Sequence, residues 1–150
     1  MRAVVQASAG NAEHVYGAAR YGTNLGAGGA MRIYAQGYSR ENTSLPNGAN
    51  ALDGMEQEQA GFRGDWKLGQ QQALTVSGDG YTGRLQTPAV TAATLPPGRA
   101  STISGGDLLG RWSGHAQSLF PGGSDWTLQS YFANSVRDYP TGYAETRNTL

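Results

Sequence analysis

Two aspartates, Asp79 and Asp107, are the residues of this chain best suited by type to acid–base catalysis. A pair of carboxyl groups flanking one bond can hydrolyse a glycoside, one acting as acid and the other as base or nucleophile. Each aspartate, however, alternates along its segment with other polar residues, and the polar positions of neighbouring segments carry arginine. We therefore expect both aspartates to pair with arginines, drawn from Arg32, Arg63 and Arg111.

Other residue types that catalyse or bind metals do not form a recognisable site. The two histidines, His14 and His115, lie about a hundred residues apart, and neither has a partner at metal-ligand spacing. The absence of cysteine excludes thiol catalysis, disulfides and Cys-type zinc sites. No serine has the context of a nucleophile elbow, and no glycine-rich segment continues as a phosphate-binding loop. The sequence predicts no catalytic residue, no metal site and no cofactor.

Composition narrows the class of protein further. Basic and acidic residues number 11 each, so the formal charge is zero and the basic face of a nucleic-acid-binding protein is not predicted. Charged residues make up 15% of the chain, below the roughly 25% of a typical soluble domain. No apolar run approaches the ~18 residues of a transmembrane helix, and the N-terminus has no apolar stretch of signal-peptide length.

Side chains alternate between apolar and polar types in segments of about ten residues. In the segment from Glu58 to Gln70, alternate residues from Ala60 to Leu68 include Phe62 and Trp66, whereas the residues between them are mostly polar. A period of two is that of a β-strand with one apolar and one polar face. About ten residues is also the length of a tilted strand that crosses a bilayer.

The alternating segments and the turn residues between them predict an all-β fold. We expect an antiparallel up-and-down meander of seven or eight strands that is part of a transmembrane β-barrel. Its long loops are Glu41 to Gln57 and Arg84 to Thr102, where prolines argue against strand pairing. The predicted strands are Ala3–Ala9, Glu13–Gly22, Ala30–Arg40, Glu58–Gln70, Ala73–Gly83, Ile103–Gly114, Trp126–Arg137, and an incomplete eighth over Tyr143–Leu150.

The two predicted faces have different compositions. Aromatic residues at one end of the apolar face are typical of the girdle that a barrel places at a membrane interface, where large rings also cover strand glycines. The girdle residues are Tyr21, Trp66, Trp112 and Trp126. Lumen-facing polar residues are Arg20, Arg32, Gln36, Arg63, Asp65, Asp79, Asp107, Arg111 and Gln129.

Several segments, in order, resemble TonB-dependent outer-membrane receptors. The segment Tyr16 to Gly22 is similar to an early barrel strand that follows the plug of these receptors. The resemblance continues through the stretches Arg32–Arg40, Gln59–Trp66, Leu74–Tyr81, Gly106–Trp112 and Trp126–Tyr131. It covers nearly the whole chain.

The resemblance implies that residues 1–150 are one partial β-barrel domain, without the plug, the signal peptide and the remaining strands. It implies an outer-membrane location in contact with lipid, uptake of a ferric siderophore or similar nutrient by the full-length receptor, and coupling to TonB through the plug. Binding residues often lie in loops. Candidate ligand contacts in the two long loops are Arg40, Glu41, Asn42, Asn50, Arg84 and Arg99.

Two other hypotheses remain open at this point. Seven or eight strands could close as a small barrel with a structural, adhesion or ligand-binding role. The short segment Tyr143–Leu150 counts against a complete barrel. A secreted β-sandwich enzyme would need a catalytic constellation that the chain does not present.

Overall fold

The computed structural model describes residues 1–11, 15–86, 100–116, 122–139 and 143–150, and these form one eight-stranded β-sheet. None of the described segments is a helix long and apolar enough to cross a membrane. The strands are β1 (Arg2–Ser8), β2 (Val15–Asn24), β3 (Gly29–Arg40), β4 (Met55–Lys67), β5 (Gln72–Gln86), β6 (Ala100–Ala116), β7 (Ser124–Asp138) and β8 (Ala144–Thr149).

The strands form the predicted antiparallel meander. Each strand pairs with the next one along the chain, and the spatial order is β1 to β8 without a crossover. Within the described residues the sheet is open, because β1 and β8 are its two edges and do not pair with each other. The expectation of an all-β up-and-down sheet is confirmed, whereas closure of these strands into a small barrel is not what the structure has.

The strands that flank the two long loops extend further than predicted. Strand β4 begins at Met55, so the first loop spans residues 41–54 rather than ending at Gln57. Strand β5 continues to Gln86, which pairs with Ala100 at the start of β6. These extensions carry polar residues on both faces, so they do not show the apolar alternation from which the strands were predicted. The backbone pairing nevertheless continues through them. The proline-rich stretch 87–99 lies outside the described residues.

One face of the sheet carries an uninterrupted apolar row. Cross-strand pairing aligns Tyr21, Ile33, Phe62, Gly78, Leu108 and Phe132 on β2 to β7. Several of these side chains are open to solvent, and Leu108 is 50% exposed. Ala51, in the first loop, is the only buried hydrophobic residue in the described part of the chain. The sheet therefore has an apolar face, here called the belt face, and no core of its own.

Aromatic rings on the belt face lie over strand glycines. The Trp66 ring occupies the space that a side chain at Gly64 would fill, and the Trp126 ring lies over Gly114 on the neighbouring strand. Of the glycines from which the prediction was drawn, Gly64 is covered by a tryptophan ring of its own strand rather than of a neighbouring one, and Gly17 and Gly110 have no ring over them. The two tryptophan rings fill the space beside Gly64 and Gly114, whereas the space beside Gly17 and Gly110 on the same face is open.

Candidate functional site

All the predicted lumen-facing residues lie on the face opposite the belt, here called the polar face. The pairing places Asp65 beside Thr75, and Arg111 beside Gln129. The same alternation applies to the complete set, which is Arg20, Arg32, Gln36, Arg63, Asp65, Asp79, Asp107, Arg111 and Gln129. That this face lines a lumen stays a prediction.

A hydrogen-bonded network crosses the polar face from β3 to β5. The Gln36 amide donates to Gln59 Oε1 at 2.9 Å. The Gln59 amide in turn donates to the Tyr34 hydroxyl at 3.2 Å and to Asp79 Oδ1 at 3.0 Å. Because the Gln59 amide both donates and accepts, it links side chains of three strands into one network and fixes their orientation.

The prediction that Asp79 and Asp107 pair with arginines is wrong. The two aspartates pair with each other across β5 and β6, and within the described residues neither forms an ion pair with an arginine. Arg63 instead binds Asp65 two residues along its own strand, through three contacts of 2.8 to 3.1 Å. The physical reason is distance, since residues i and i+2 of a strand are close neighbours on one face.

The four predicted girdle residues all lie on the belt face. Trp66 and Trp112 share one cross-strand row with Leu74 between them, and the Trp112 and Trp126 rings meet edge-on at 5.0 Å. Tyr21 does not lie in this row. Tyr21 is aligned with Phe62, which lies four residues further from the short turns than Trp66 does. Trp126 is aligned with Gly114, which lies two residues nearer to the end of β6 than Trp112 does. The aromatic line therefore runs obliquely across the sheet.

Five of the six candidate ligand contacts surround one cavity of about 780 Å³ where β3 and β5 end and β4 begins. They are Arg40, Glu41, Asn42, Asn50 and Arg84. The sixth candidate, Arg99, lies outside the described residues. The structure thus brings together residues that are far apart in the sequence, because the β4–β5 pairing carries Arg84 back to the first loop.

Side-chain hydrogen bonds hold the first loop in shape. The Asp53 carboxylate accepts bonds from the Thr43 backbone N–H at 2.7 Å and from the Thr43 hydroxyl at 2.8 Å. These bonds, the backbone one first, lower the pKa of Asp53 below its ordinary 3.8. Asn42 Oδ1 accepts from the Gly54 N–H at 2.7 Å, and Arg40 donates to the Asp53 carbonyl at 3.2 Å. These hydrogen bonds therefore fix the conformation of the loop residues that line the cavity.

The cavity contains polar groups that the described residues leave unpaired. Arg84 lies directly across from Glu56, but they do not form an ion pair in the described structure. Arg40 Nε and Gln86 Oε1 are buried and have no hydrogen-bond partner among the described atoms. Buried polar atoms normally have a partner, so a donor and an acceptor here are available to a bound molecule or water. Sequence reasoning missed Glu56 and Gln86, which only the register reveals.

The structure also gives His115 a partner that the sequence did not reveal. Its Nδ1 lies 2.8 Å from Asp125 Oδ1, because the two residues are opposite one another on β6 and β7. His14 lies outside the described residues. In the part of the chain that the structure describes, no group of three or more His, Cys, Asp and Glu side chains could hold a metal ion.

No protein-family model, no curated protein and no solved structure matches the chain. The geometry of the two faces and of the loop-end cavity is therefore the basis on which a function is proposed.

Proposed function

We propose that this chain is a wall segment of an outer-membrane transporter barrel of the TonB-dependent receptor type. Its belt face contacts lipid, its polar face lines the lumen, and its loop-end cavity contributes contacts to a ferric siderophore or similar nutrient. Opening of the pore and coupling to TonB would belong to a plug domain of the full-length receptor. The proposal gives the chain no catalytic role.

The oblique line of aromatic residues is the observation that carries the membrane proposal. From Tyr21 on β2 to Trp126 on β7 the line shifts by six residues over five strand-to-strand steps. With a rise of ~3.3 Å per residue and a strand spacing of ~4.8 Å, this shift gives a strand tilt of about 40°. Strands of membrane barrels tilt by roughly 35–45°, and interfacial aromatics mark one height in the bilayer. A level girdle on tilted strands would be oblique in this way.

The position of the cavity supports the nutrient-binding part of the proposal. It lies beside the connection of residues 41–54 between β3 and β4, whereas the tryptophans lie at the opposite end of the strands, where the β2–β3 and β4–β5 connections span residues 25–28 and 68–71. Among the described residues, Arg84 forms no ion pair and the buried Arg40 Nε has no hydrogen-bond partner. Arginine is suited to oxygen-rich anionic ligands because its planar fork donates two parallel hydrogen bonds.

A labelling experiment tests the membrane proposal. Because the chain has no cysteine, single cysteines can be introduced at Leu108 on the belt face and at Leu109 on the polar face. The two residues are adjacent leucines in the middle of β6, which makes them a matched pair. Each variant would be produced in cells, and the outer membranes that contain it would be isolated. Its cysteine would then be labelled with a fluorophore, and the membranes would be reconstituted with brominated lipids.

We expect brominated acyl chains to quench the label of Leu108→Cys strongly and that of Leu109→Cys weakly. Equal quenching at both positions, or none at position 108, would contradict a lipid-facing belt. In the second case the belt face would be covered by protein.

The receptor assignment has a separate test, which is the DNA on both sides of the reading frame. An in-frame plug upstream supports it, and an independent gene with its own promoter and terminator contradicts it.

The small stand-alone barrel is the alternative with the same secondary structure. It requires β1 to pair with β8, and the described residues do not show this pairing. We therefore do not favour it.

A further inference from the structure

A depression on the polar face of β1, β2 and β3 lies apart from the loop-end cavity. It has a volume of about 490 Å³. Ala18 is one of its lining residues, and its small side chain leaves space between larger neighbours. Gln6 and Gln36 are the cross-strand partners of Ala18, and Tyr16 and Arg20 stand on either side of it along β2. A ring of polar side chains thus surrounds an apolar floor.

The charge around this depression is positive. Arg20 and Arg32 line it, and its lining includes no acidic residue. Neither arginine forms an ion pair with any other described residue. The nearby carboxylates are already engaged, since Asp65 is held by Arg63 and Asp79 accepts a hydrogen bond from a glutamine. Both guanidinium groups are therefore open to an external anion.

The register also allows the two arginines to act together. Arg20 pairs with Tyr34, and Arg32 pairs with Gly22, so the arginines are diagonal neighbours on adjacent strands. Diagonal neighbours are within reach of each other when their side chains are long. Gly22 has no side chain to separate Arg32 from Arg2, which lies across from Gly22 on β1. Arg20 and Arg32, which both line the depression, can therefore converge on one group beside Tyr34.

We propose that this depression binds a small phosphorylated solute, with the phosphate on Arg20 and Arg32. A phosphate monoester carries close to two negative charges and accepts bidentate hydrogen bonds from guanidinium groups. The amides of Gln6 and Gln36 and the hydroxyl of Tyr16 are neutral groups that can bind the hydroxyls of the organic part. The volume lies within the range of small-molecule sites, roughly 300–1,000 Å³.

This site goes beyond the transport proposal and does not depend on it. It requires only the pairing of β1, β2 and β3 and not contact between the belt face and lipid. A failed lipid-quenching experiment would therefore leave the anion site intact, and the reverse also holds.

Calorimetric titration of the purified chain with glycerol 3-phosphate in detergent micelles tests the proposal. Glycerol is the uncharged control, and circular dichroism establishes that each variant keeps its β-sheet. We expect glycerol 3-phosphate to bind and glycerol not to bind. Arg20→Gln and Arg32→Gln should each weaken binding by about tenfold or more, as expected for loss of a charge-assisted hydrogen bond.

Two further variants separate a built site from general attraction of anions. Arg111→Gln removes an arginine of the polar face on β6, outside the depression and likewise without an ion pair in the described structure, and should leave binding unchanged. Ala18→Leu fills the floor without changing the charge and should abolish binding. The proposal is overturned if the folded chain does not bind glycerol 3-phosphate, if Arg111→Gln weakens binding as much as Arg20→Gln, or if Ala18→Leu binds normally.

Discussion

At the scale of single residues, the Asp53 carboxylate organises the loop that forms one wall of the cavity. Its two hydrogen bonds from Thr43 lower its pKa in the folded chain below 3.8. A lowered pKa means that the carboxylate contribution to loop stability is complete above about pH 3.8 and is lost as the pH falls through the lower folded value. We expect the Thr43 amide to lose protection from exchange in that acidic range, measured against the intrinsic exchange rate at the same pH.

Asp53→Asn should give the same loss of protection at neutral pH and remove its acid dependence. Amide hydrogen exchange of Thr43, measured by nuclear magnetic resonance or mass spectrometry, provides the readout. Asp138→Asn is the control, because Asp138 is an exposed carboxylate at the end of β7, away from this loop. Unchanged exchange in Asp53→Asn would show that the loop holds its shape without this carboxylate.

Two glycines on the belt face should respond differently to the same substitution. A side chain at Gly78 would come within 2.5 Å of the Asp107 carbonyl oxygen, whereas the space beside Gly110 is open to at least 4 Å. Gly78→Ala should therefore lower the free energy of unfolding by about 1–3 kcal/mol through overpacking. Gly110→Ala should leave it unchanged or raise it by up to ~1 kcal/mol, because alanine loses less backbone entropy.

Urea unfolding in detergent micelles, followed by circular dichroism, measures both glycine variants. Equal effects of the two alanines would mean that the close approach at Gly78 relaxes at little cost.

Which face each residue occupies could be predicted from the sequence, but which residues meet could not. Alternation alone assigned the nine polar and four aromatic residues to opposite faces. The partner of each residue depends on register, which the turns set through their length and hydrogen bonding. Asp79 was therefore assigned an arginine partner although it lies beside Asp107, and the His115–Asp125 contact was missed. The same applies to Glu56, which lies opposite Arg84 in the candidate site.

At the scale of the strands, their existence and order were predicted more accurately than their ends. Apolar alternation identifies the part of a strand that contributes to the belt. It does not identify the strand ends beyond the belt, residues 55–57 of β4 and 85–86 of β5, where the backbone ladder continues without apolar alternation. These extensions carry the lower wall of the loop-end cavity, so its composition could be predicted only in part.

The two faces of one strand should differ in their tolerance of charge. Phe132 and Tyr131 are adjacent aromatic residues of β7 with nearly equal exposure, 44% and 41%, but they lie on the belt and polar faces respectively. If the belt contacts lipid, Phe132→Arg should lower the free energy of unfolding in lipid vesicles by about 2–4 kcal/mol. Tyr131→Arg on a wet polar face should lower it by no more than ~1 kcal/mol.

Urea titration in phospholipid vesicles measures this difference, and the wild-type chain provides the reference. Similar losses for the two arginine variants would argue that both faces have the same surroundings, which is incompatible with a lipid-facing belt.

At the scale of the whole molecule, the sheet does not provide its own apolar interior. A globular domain of this size buries most of its large hydrophobic side chains, and that burial is its main source of stability. Here Leu128 is 63% exposed, and Ala51 is the one buried hydrophobic residue that the described structure contains. The backbone ladder satisfies hydrogen bonds but contributes little net free energy in water. We therefore expect an apolar partner outside the described sheet to cover the belt, and under the proposed function that partner is lipid.

The final prediction follows from this missing core. In buffer without detergent or lipid, the purified chain should not form a monomeric sheet, because ordering its backbone costs roughly 1–2 kcal/mol per residue without compensating burial. Exposed edges at β1 and β8 should instead favour association. Detergent micelles should restore monomeric β-structure, whereas the same detergent below its critical micelle concentration should not. Circular dichroism and analytical ultracentrifugation measure the two properties, and a monomeric, cooperatively unfolding sheet in plain buffer would mean that the belt face needs no apolar partner.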